Sequence, residues 1–359
     1  MPTFRPDILR IPEYIPGRPI ADVAKEFGFD PASVVKLASN ENPLPPIPEA
    51  REAVAALMSE ANRYPDTECK DLRAAISSCS EIPPENIWAA AGSSEILRVT
   101  ALATGGPGTS AVFPQPSFVI YKMGTVLALS EPIEVPLDSE YRNDLDALST
   151  AIRPDTNLVY ICNPNNPTGT IVDSDDLESF IKGVPERVLV LVDEAYHEFV
   201  TEPKHRSMVP LALSTPNVIV TRTFSKIFGL ASLRVGYAVS SVENLVQIQK
   251  AQAPFTVTGP AQVAAMASLR HPEQVKERTR ANASGRAVIM EGLSMAGVEF
   301  VPSQANFVYF HLNRPTKESS DGFLRAAVIV RPYSDGWLRV SVGSPSENER
   351  FLEALASVV

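Results

Sequence analysis

Between residues 110 and 240 the chain alternates short apolar, β-branched runs with stretches of helical length. The runs are SAVFP (110–114), NLVYICNP (157–164), RVLVLVDEAY (187–196), NVIVTRTFSK (217–226) and RVGYAVS (234–240). Runs apolar on both faces cannot lie at a solvated sheet surface. Alternating with helices, they predict a largely parallel sheet covered on both sides, an α/β fold. AAAGSSEILRV (89–99) reads as a further short strand, a Gly-Ser-Ser turn and a helix, and two more helices are expected near 48–59 and 69–80. After residue 240 come helical stretches at SVENLVQIQKAQ, 258–269 and 273–295. EFVPSQANFVYFHL and AVIVRPY then alternate as strands, and SENERFLEALASVV is a terminal amphipathic helix. A chain of 359 residues has room for two domains. The expected division is a proline-rich arm over 1–48, with one short helix at 20–27 and packed beside the small domain, a large domain over 49–245, and a smaller α+β domain over 246–359.

Several function classes are excluded early. The net charge of −10 argues against nucleic acid or an anionic membrane as partner, since both need a basic face. No apolar run approaches the roughly 20 residues of a membrane span, and the proline-rich start lacks the apolar core of a signal peptide. Cys69, Cys79 and Cys162 are scattered and read as reduced, buried thiols of a cytoplasmic protein. Neither they nor the histidines have metal-site spacing, and no metal is expected. His197 in HEFVT lacks a second histidine and reads as a strand-exit residue. GGPG at 105–108 lacks the spacing of a dinucleotide fingerprint.

Three runs end in polar clusters, at 163–169, 193–196 and 221–226. Ligands of open α/β sheets bind beyond the carboxyl ends of strands, so the clusters imply one shared site. Lys226 lies among Thr223, Ser225 and Arg234, groups that suit a phosphate. Burial and the nearby Arg234 cation would depress its pKa and free the amine for Schiff-base chemistry; the alternative is a surface lysine. Asp193 ends a five-residue apolar run, Val188 to Val192. It either pairs with a buried cation, such as a pyridinium nitrogen, or caps a helix. Asn166, pinned in NPNNPTG, and Tyr196 have groups that can donate to a phenolate oxygen on a bound ring. Ser93 and Ser94 open a helix whose start favours phosphate or is simply a good cap. Phe118 either stacks on an aromatic ligand or fills the core.

Together KLASNENP, RYPD, GSSE, NPNNPTG, VDEAYHEF, TFSKIFGLASLRVGYA, SQANFVYF and LRVSVG resemble the fold-type I pyridoxal-phosphate aminotransferases, nearest the histidinol-phosphate and aromatic amino-acid subgroups. The likeness runs from about residue 12 onward. It implies pyridoxal 5′-phosphate held covalently by Lys226, which then moves the proton between substrate Cα and cofactor C4′. Asp193 would face the ring nitrogen, and Asn166 and Tyr196 the ring oxygen. Ser93, Ser94, Thr223, Ser225 and Arg234 would form the phosphate cup. Phe118 stands where the family usually has a stacking tyrosine. Tyr64 resembles the tyrosine that reaches the neighbouring subunit's cofactor, implying a homodimer with shared sites.

The resemblance makes Arg339 the contact for the substrate carboxylate, with Tyr14, Asn40 and Arg331 as companions for an amino donor and a 2-oxo acid. IPGRPIADVAKEFGF and SPSENERFLEAL look like the histidinol-phosphate branch, AQAPFTVTGPAQ and IVRPY like the aromatic one. Histidinol phosphate is the preferred substrate reading, aromatic amino acids the alternative. A decarboxylase or lyase on the same fold is a weaker rival. A sensing regulator is weaker still, because no basic helix-turn-helix precedes residue 40.

Overall fold

The computed structural model describes residues 3–11, 13–14 and 16–359, so residues 1, 2, 12 and 15 of the expected arm lie outside the described residues. The first strand is short, β1 (Val35–Lys36). Then come the strands of a seven-stranded sheet: β2 (Ile87–Ala90), β3 (Ser110–Gln115), β4 (Glu131–Pro136), β5 (Thr156–Cys162), β6 (Leu189–Asp193), β7 (Val218–Thr223) and β8 (Gly236–Ser240), in the order 2-8-7-6-5-3-4. Every neighbouring pair is parallel except the two made by β8, which runs antiparallel to β7 and to β2. The largely parallel, helix-covered sheet expected from the sequence is present.

Residues alternate between two cores along these strands. Leu158, Tyr160, Leu191 and Ile219 meet the helices Ser93–Thr104, Ile120–Leu127 and Val242–Ile248 on one face. Val159, Ile161, Val190, Val192, Val218 and Val220 meet Leu145–Ala151, Ser174–Gly183 and Val209–Ser214 on the other. That period of two, with both faces buried, is why the runs read as continuously apolar.

The later strands are β9 (Glu299–Val301), β10 (Phe307–His311), β11 (Val328–Ile329), β12 (Arg331–Pro332) and β13 (Trp337–Ser341). Four of them form an antiparallel sheet in the order 12-13-10-9, while β11 pairs in parallel with β1. The helices Pro272–Met295, Thr316–Arg325 and Pro345–Val358 bury Ile289, Phe323 and Phe351 against Phe310 and Leu338 of this sheet. The N-terminal helix Ile20–Phe27 joins it, with Val23 and Ala24 packed on Leu324 and Ile329.

Helix Gly259–Leu269 departs from the expected layout. It shares a core with Leu72, Ile76, Ile87 and Val239, so it packs with the large sheet although it lies past residue 245. Its alanine-rich surface, mostly small and apolar all round, carries no sign of which unit it joins. The thiols also differ in part: Cys69 and Cys162 are buried, but Cys79 is exposed. No helix among the described residues is long and apolar enough to cross a membrane.

Candidate active site

β5, β6 and β7 lie side by side, with Cys162 opposite Asp193 and Asp193 opposite Thr221. Their carboxyl ends open onto one cavity of about 330 Å³. Its three ends are chemically distinct.

At the first end, Ser93 and Ser94 begin helix Ser93–Thr104, whose N-cap Gly92 (φ 80°) offers no side chain to its backbone N–H groups. A Cβ on Gly92 would stand 2.6 Å from Arg234 Nη2, and one on Gly236 would stand 2.9 Å from Ser93 N. Only glycine lets helix start and guanidinium share one concavity. Arg234 Nη1 donates to Ser225 Oγ at 3.2 Å, Ser225 N donates to Thr223 Oγ1 at 3.1 Å, and Thr223 and Ser225 both line the cavity. A helix N-terminus beside an arginine and hydroxyls suits one phosphate.

At the second end, Asp193 is 2% exposed. Its Oδ2 accepts from the Tyr121 hydroxyl at 2.9 Å and its Oδ1 from Ala195 N at 3.1 Å. Burial lifts its pKa to about 6, against the pull of those two hydrogen bonds. It caps no helix, since the short turn His197–Phe199 takes Tyr196 as its N-cap. The Tyr196 hydroxyl accepts from Asn40 Nδ2 at 3.1 Å and from Asn166 Nδ2 at 3.3 Å. Phe118 lines the same cavity, edge-on to Tyr121 with centroids 5.9 Å apart.

Lys226 reaches between the ends, its Nζ donating to Asn40 O at 3.1 Å and Ser39 O at 3.3 Å. Burial lowers its pKa from 10.5 to about 7. Arg339 is the strongest cation acting in that direction and Arg234 a weaker one. The sequence had pointed to Arg234 for this part. Arg339, remote in the chain, is brought in by β13.

At the third end, Arg339 is 5% exposed and lies against the Phe307 ring, 5.2 Å from its centroid. Its Nη1 donates to Asn166 Oδ1 and to the Tyr333 hydroxyl, and its Nη2 to Ala38 O. Its buried Nε has no partner among the described residues. Asn40, at φ 53°, is anchored by its N–H to Ser341 Oγ at 2.8 Å. The Arg331 guanidinium lies 5.6 Å from the Tyr14 ring centroid, and both residues line the cavity.

Of the expected site residues, only Tyr64 stands outside: it is 83% exposed and stacks on Phe255 at 4.6 Å. Sequence reasoning missed Tyr121, Tyr333 and Asn306, whose Nδ2 donates to Asn40 O at 3.1 Å. Tyr333 follows Arg331 in VRPY, a signal that was available; Tyr121 and Asn306 sit in runs that read as core. His197 lines no part of this cavity. It faces His205 at 3.0 Å, and burial lowers its pKa to about 3, so it stays neutral beside the buried Glu194–Arg222 pair.

The family model for "aminotransferase class I and II" matches residues 32–355. The chain belongs to that family. This aminotransferase is 41% identical to histidinol-phosphate aminotransferase 1 of Cupriavidus pinatubonensis, over 98% of the chain and 96% of the relative. It is 40% identical to an aromatic amino acid aminotransferase of Nocardia farcinica, over 98% and 96%. A solved histidinol-phosphate aminotransferase from Sinorhizobium meliloti, in complex with pyridoxal-5′-phosphate, superposes with a TM-score of 0.90 at 25% identity, over 99% of this chain and 97% of that one. The cofactor of this aminotransferase is pyridoxal 5′-phosphate. Its cavity fits that molecule: a phosphate cradle at one end, a buried carboxylate at another, and an amine with a depressed pKa between them.

Proposed function

We propose that this aminotransferase moves the amino group between histidinol phosphate and 2-oxoglutarate, a step of histidine biosynthesis. The observation that carries the reading is the second cationic end of the cavity. Arg339 and Arg331, register partners on β13 and β12, line the same cavity as the cofactor's phosphate cradle, with Tyr14 and Asn40. A paired cationic end can take either the phosphate of histidinol phosphate or the carboxylate of glutamate. The names of the full-length relatives support the same choice.

In this reading Ser93, Ser94, Thr223, Ser225 and Arg234 hold the phosphate, Asp193 faces the ring nitrogen, Asn166 and Tyr196 donate to the ring oxygen, and Phe118 covers one ring face. Bound pyridoxal phosphate supplies an aldehyde that exchanges for an amine and a ring that accepts electrons. Lys226 carries the cofactor through its amine. Once displaced by the incoming amino group, the lysine, whose lowered pKa of about 7 leaves a large neutral fraction near pH 7, takes the proton from substrate Cα, then returns it to C4′. Arg339 orients the substrate by its anionic group, which fixes the bond that Lys226 works on.

The test compares kcat/KM for histidinol phosphate and phenylalanine. Histidinol phosphate should lead by about tenfold or more, a margin of about 1.4 kcal/mol. A lead for phenylalanine would replace this substrate by the aromatic one, the reading that the Nocardia farcinica relative favours. Release of CO2 or pyruvate from the donor would point to the decarboxylase or lyase.

The proposal includes a homodimer with shared sites, a cytoplasmic location consistent with three free thiols, and a passage into the small domain nearer residue 271 than 245. Support for the dimer comes from the exposed aromatic pair Tyr64 and Phe255. Tyr64→Phe should raise the cofactor dissociation constant by several-fold and lower kcat less, as expected for one lost phosphate hydrogen bond. A fall in kcat with unchanged cofactor affinity would argue against a contact across subunits.

A further inference from the structure

Tyr121 has no place in the functional reading of the sequence, yet among the described residues its hydroxyl is the one side-chain donor to Asp193. It belongs to helix Ile120–Leu127 and is fully buried. Its ring is stacked on Tyr160 with centroids 4.7 Å apart and lies edge-on to Phe118. Held on both sides, the phenol cannot swing away from the carboxylate 2.9 Å from it.

We propose that Tyr121 is a positioning residue for the cofactor's ring nitrogen: by donating to Asp193 Oδ2 it holds that carboxylate ionised and fixes its plane. The inference rests on the reading that Asp193 pairs with the ring nitrogen. Among the described residues each carboxylate oxygen has one donor, Tyr121 on Oδ2 and the Ala195 N–H on Oδ1. Two anchors, one per oxygen, set the rotation about the Cβ–Cγ bond and leave lone pairs free for a third partner. The neighbouring Cys162 thiol also lies within reach of the phenol, and it gives its own proton to Pro164 O at 3.3 Å.

The need for a donor is physical. A carboxylate buried this deeply is pushed towards its protonated form, and hydrogen bonds to the ionised form oppose the push. Without the phenol, Asp193 would take up a proton more readily. It would then meet the ring nitrogen as a neutral partner, exchanging a charge-assisted hydrogen bond for a weaker one. A buried tyrosine also seeks an acceptor merely to satisfy its hydroxyl. That purely structural role predicts no selectivity for the ring nitrogen.

The two roles separate in a cofactor titration. Protein stripped of cofactor is titrated with pyridoxal phosphate and with its carbocyclic analogue, in which ring nitrogen is replaced by C–H. Wild type should prefer pyridoxal phosphate. Tyr121→Phe should cut that preference by about tenfold or more, the range of a hydrogen bond to a charged group, while the analogue binds within about twofold of its wild-type constant. The 15N resonance of labelled cofactor should move in the variant from the protonated towards the neutral-pyridine range. Tyr160→Phe removes a hydroxyl from the packing partner, which faces Leu97 O and not Asp193, and should leave the preference intact. An undiminished preference in Tyr121→Phe, an equal loss for both ligands, or the same loss in Tyr160→Phe overturns the inference. Absence of any preference in wild type overturns the Asp193 reading beneath it.

Discussion

Lys226→Ala is expected to leave protein that binds pyridoxal phosphate without covalent attachment, shows no borohydride-stable label at residue 226, and turns over at least about a thousandfold more slowly. In the proposed reading one amine holds the cofactor, takes the Cα proton and returns it, so its loss removes an attachment and a general acid–base, the latter alone accounting for about 10²–10⁴. The phosphate cradle and Asp193 are untouched by the change, so cofactor affinity should fall far less than kcat. The measurement is single-turnover kinetics beside mass spectrometry of the reduced protein. Near-normal turnover would remove Lys226 from the chemistry.

Arg339→Leu is expected to cost glutamate at least about a hundredfold in kcat/KM, because truncating one member of a buried, hydrogen-bonded charge pair costs about 2–5 kcal/mol. Arg339→Lys keeps a charge but loses the fork and should recover only part of that. A second readout follows from electrostatics. The Arg339 cation, after burial, is the strongest influence lowering the Lys226 pKa to about 7. Removing it makes the ammonium easier to keep, so the lysine stays protonated to higher pH. In the half-reaction that begins with this amine unattached, the rate rises with pH as the amine becomes neutral. The midpoint of that limb should lie near 7 in wild type and move upward in Arg339→Leu. An unmoved limb would mean that Arg339 acts on substrate alone.

Much of this site was legible because its chemistry is written in local runs. Asp193 ends a strand that is apolar up to it, and Thr223 closes a strand that opens apolar and turns polar at Thr221, so the polar ends stood out, and NPNNPTG and GSSE could be little else than turns. What escaped depends on contacts between distant segments. Tyr121 reads as one more apolar residue of a short helix until the fold sets it under Asp193. Arg339 and Lys226 could each be found, but not their closeness, which comes from β13 running alongside β10 and reaching the cavity. Strand direction is also silent in hydrophobic periodicity, so β8 looked like its parallel neighbours. Strand β4, EPIEVP, was missed because two prolines and two glutamates argue against a strand; it is tolerated at the edge, where one side of the backbone needs no partner. Cys79 is exposed on helix Lys70–Ser80, where local sequence says little about which face meets solvent.

The cavity walls come from separate portions of the polypeptide. Residues between Ser93 and Arg234 supply the walls proposed to hold the vitamin, whereas Tyr14, Asn40, Arg331 and Arg339 arrive from near the two termini. Divergence can therefore retune what is accepted while the catalytic apparatus is inherited intact. Two relatives with different substrate names, at 41% and 40% identity, are what such a partition permits. Grafting both terminal portions together, and not either alone, is the rational route to exchanging one specificity for another.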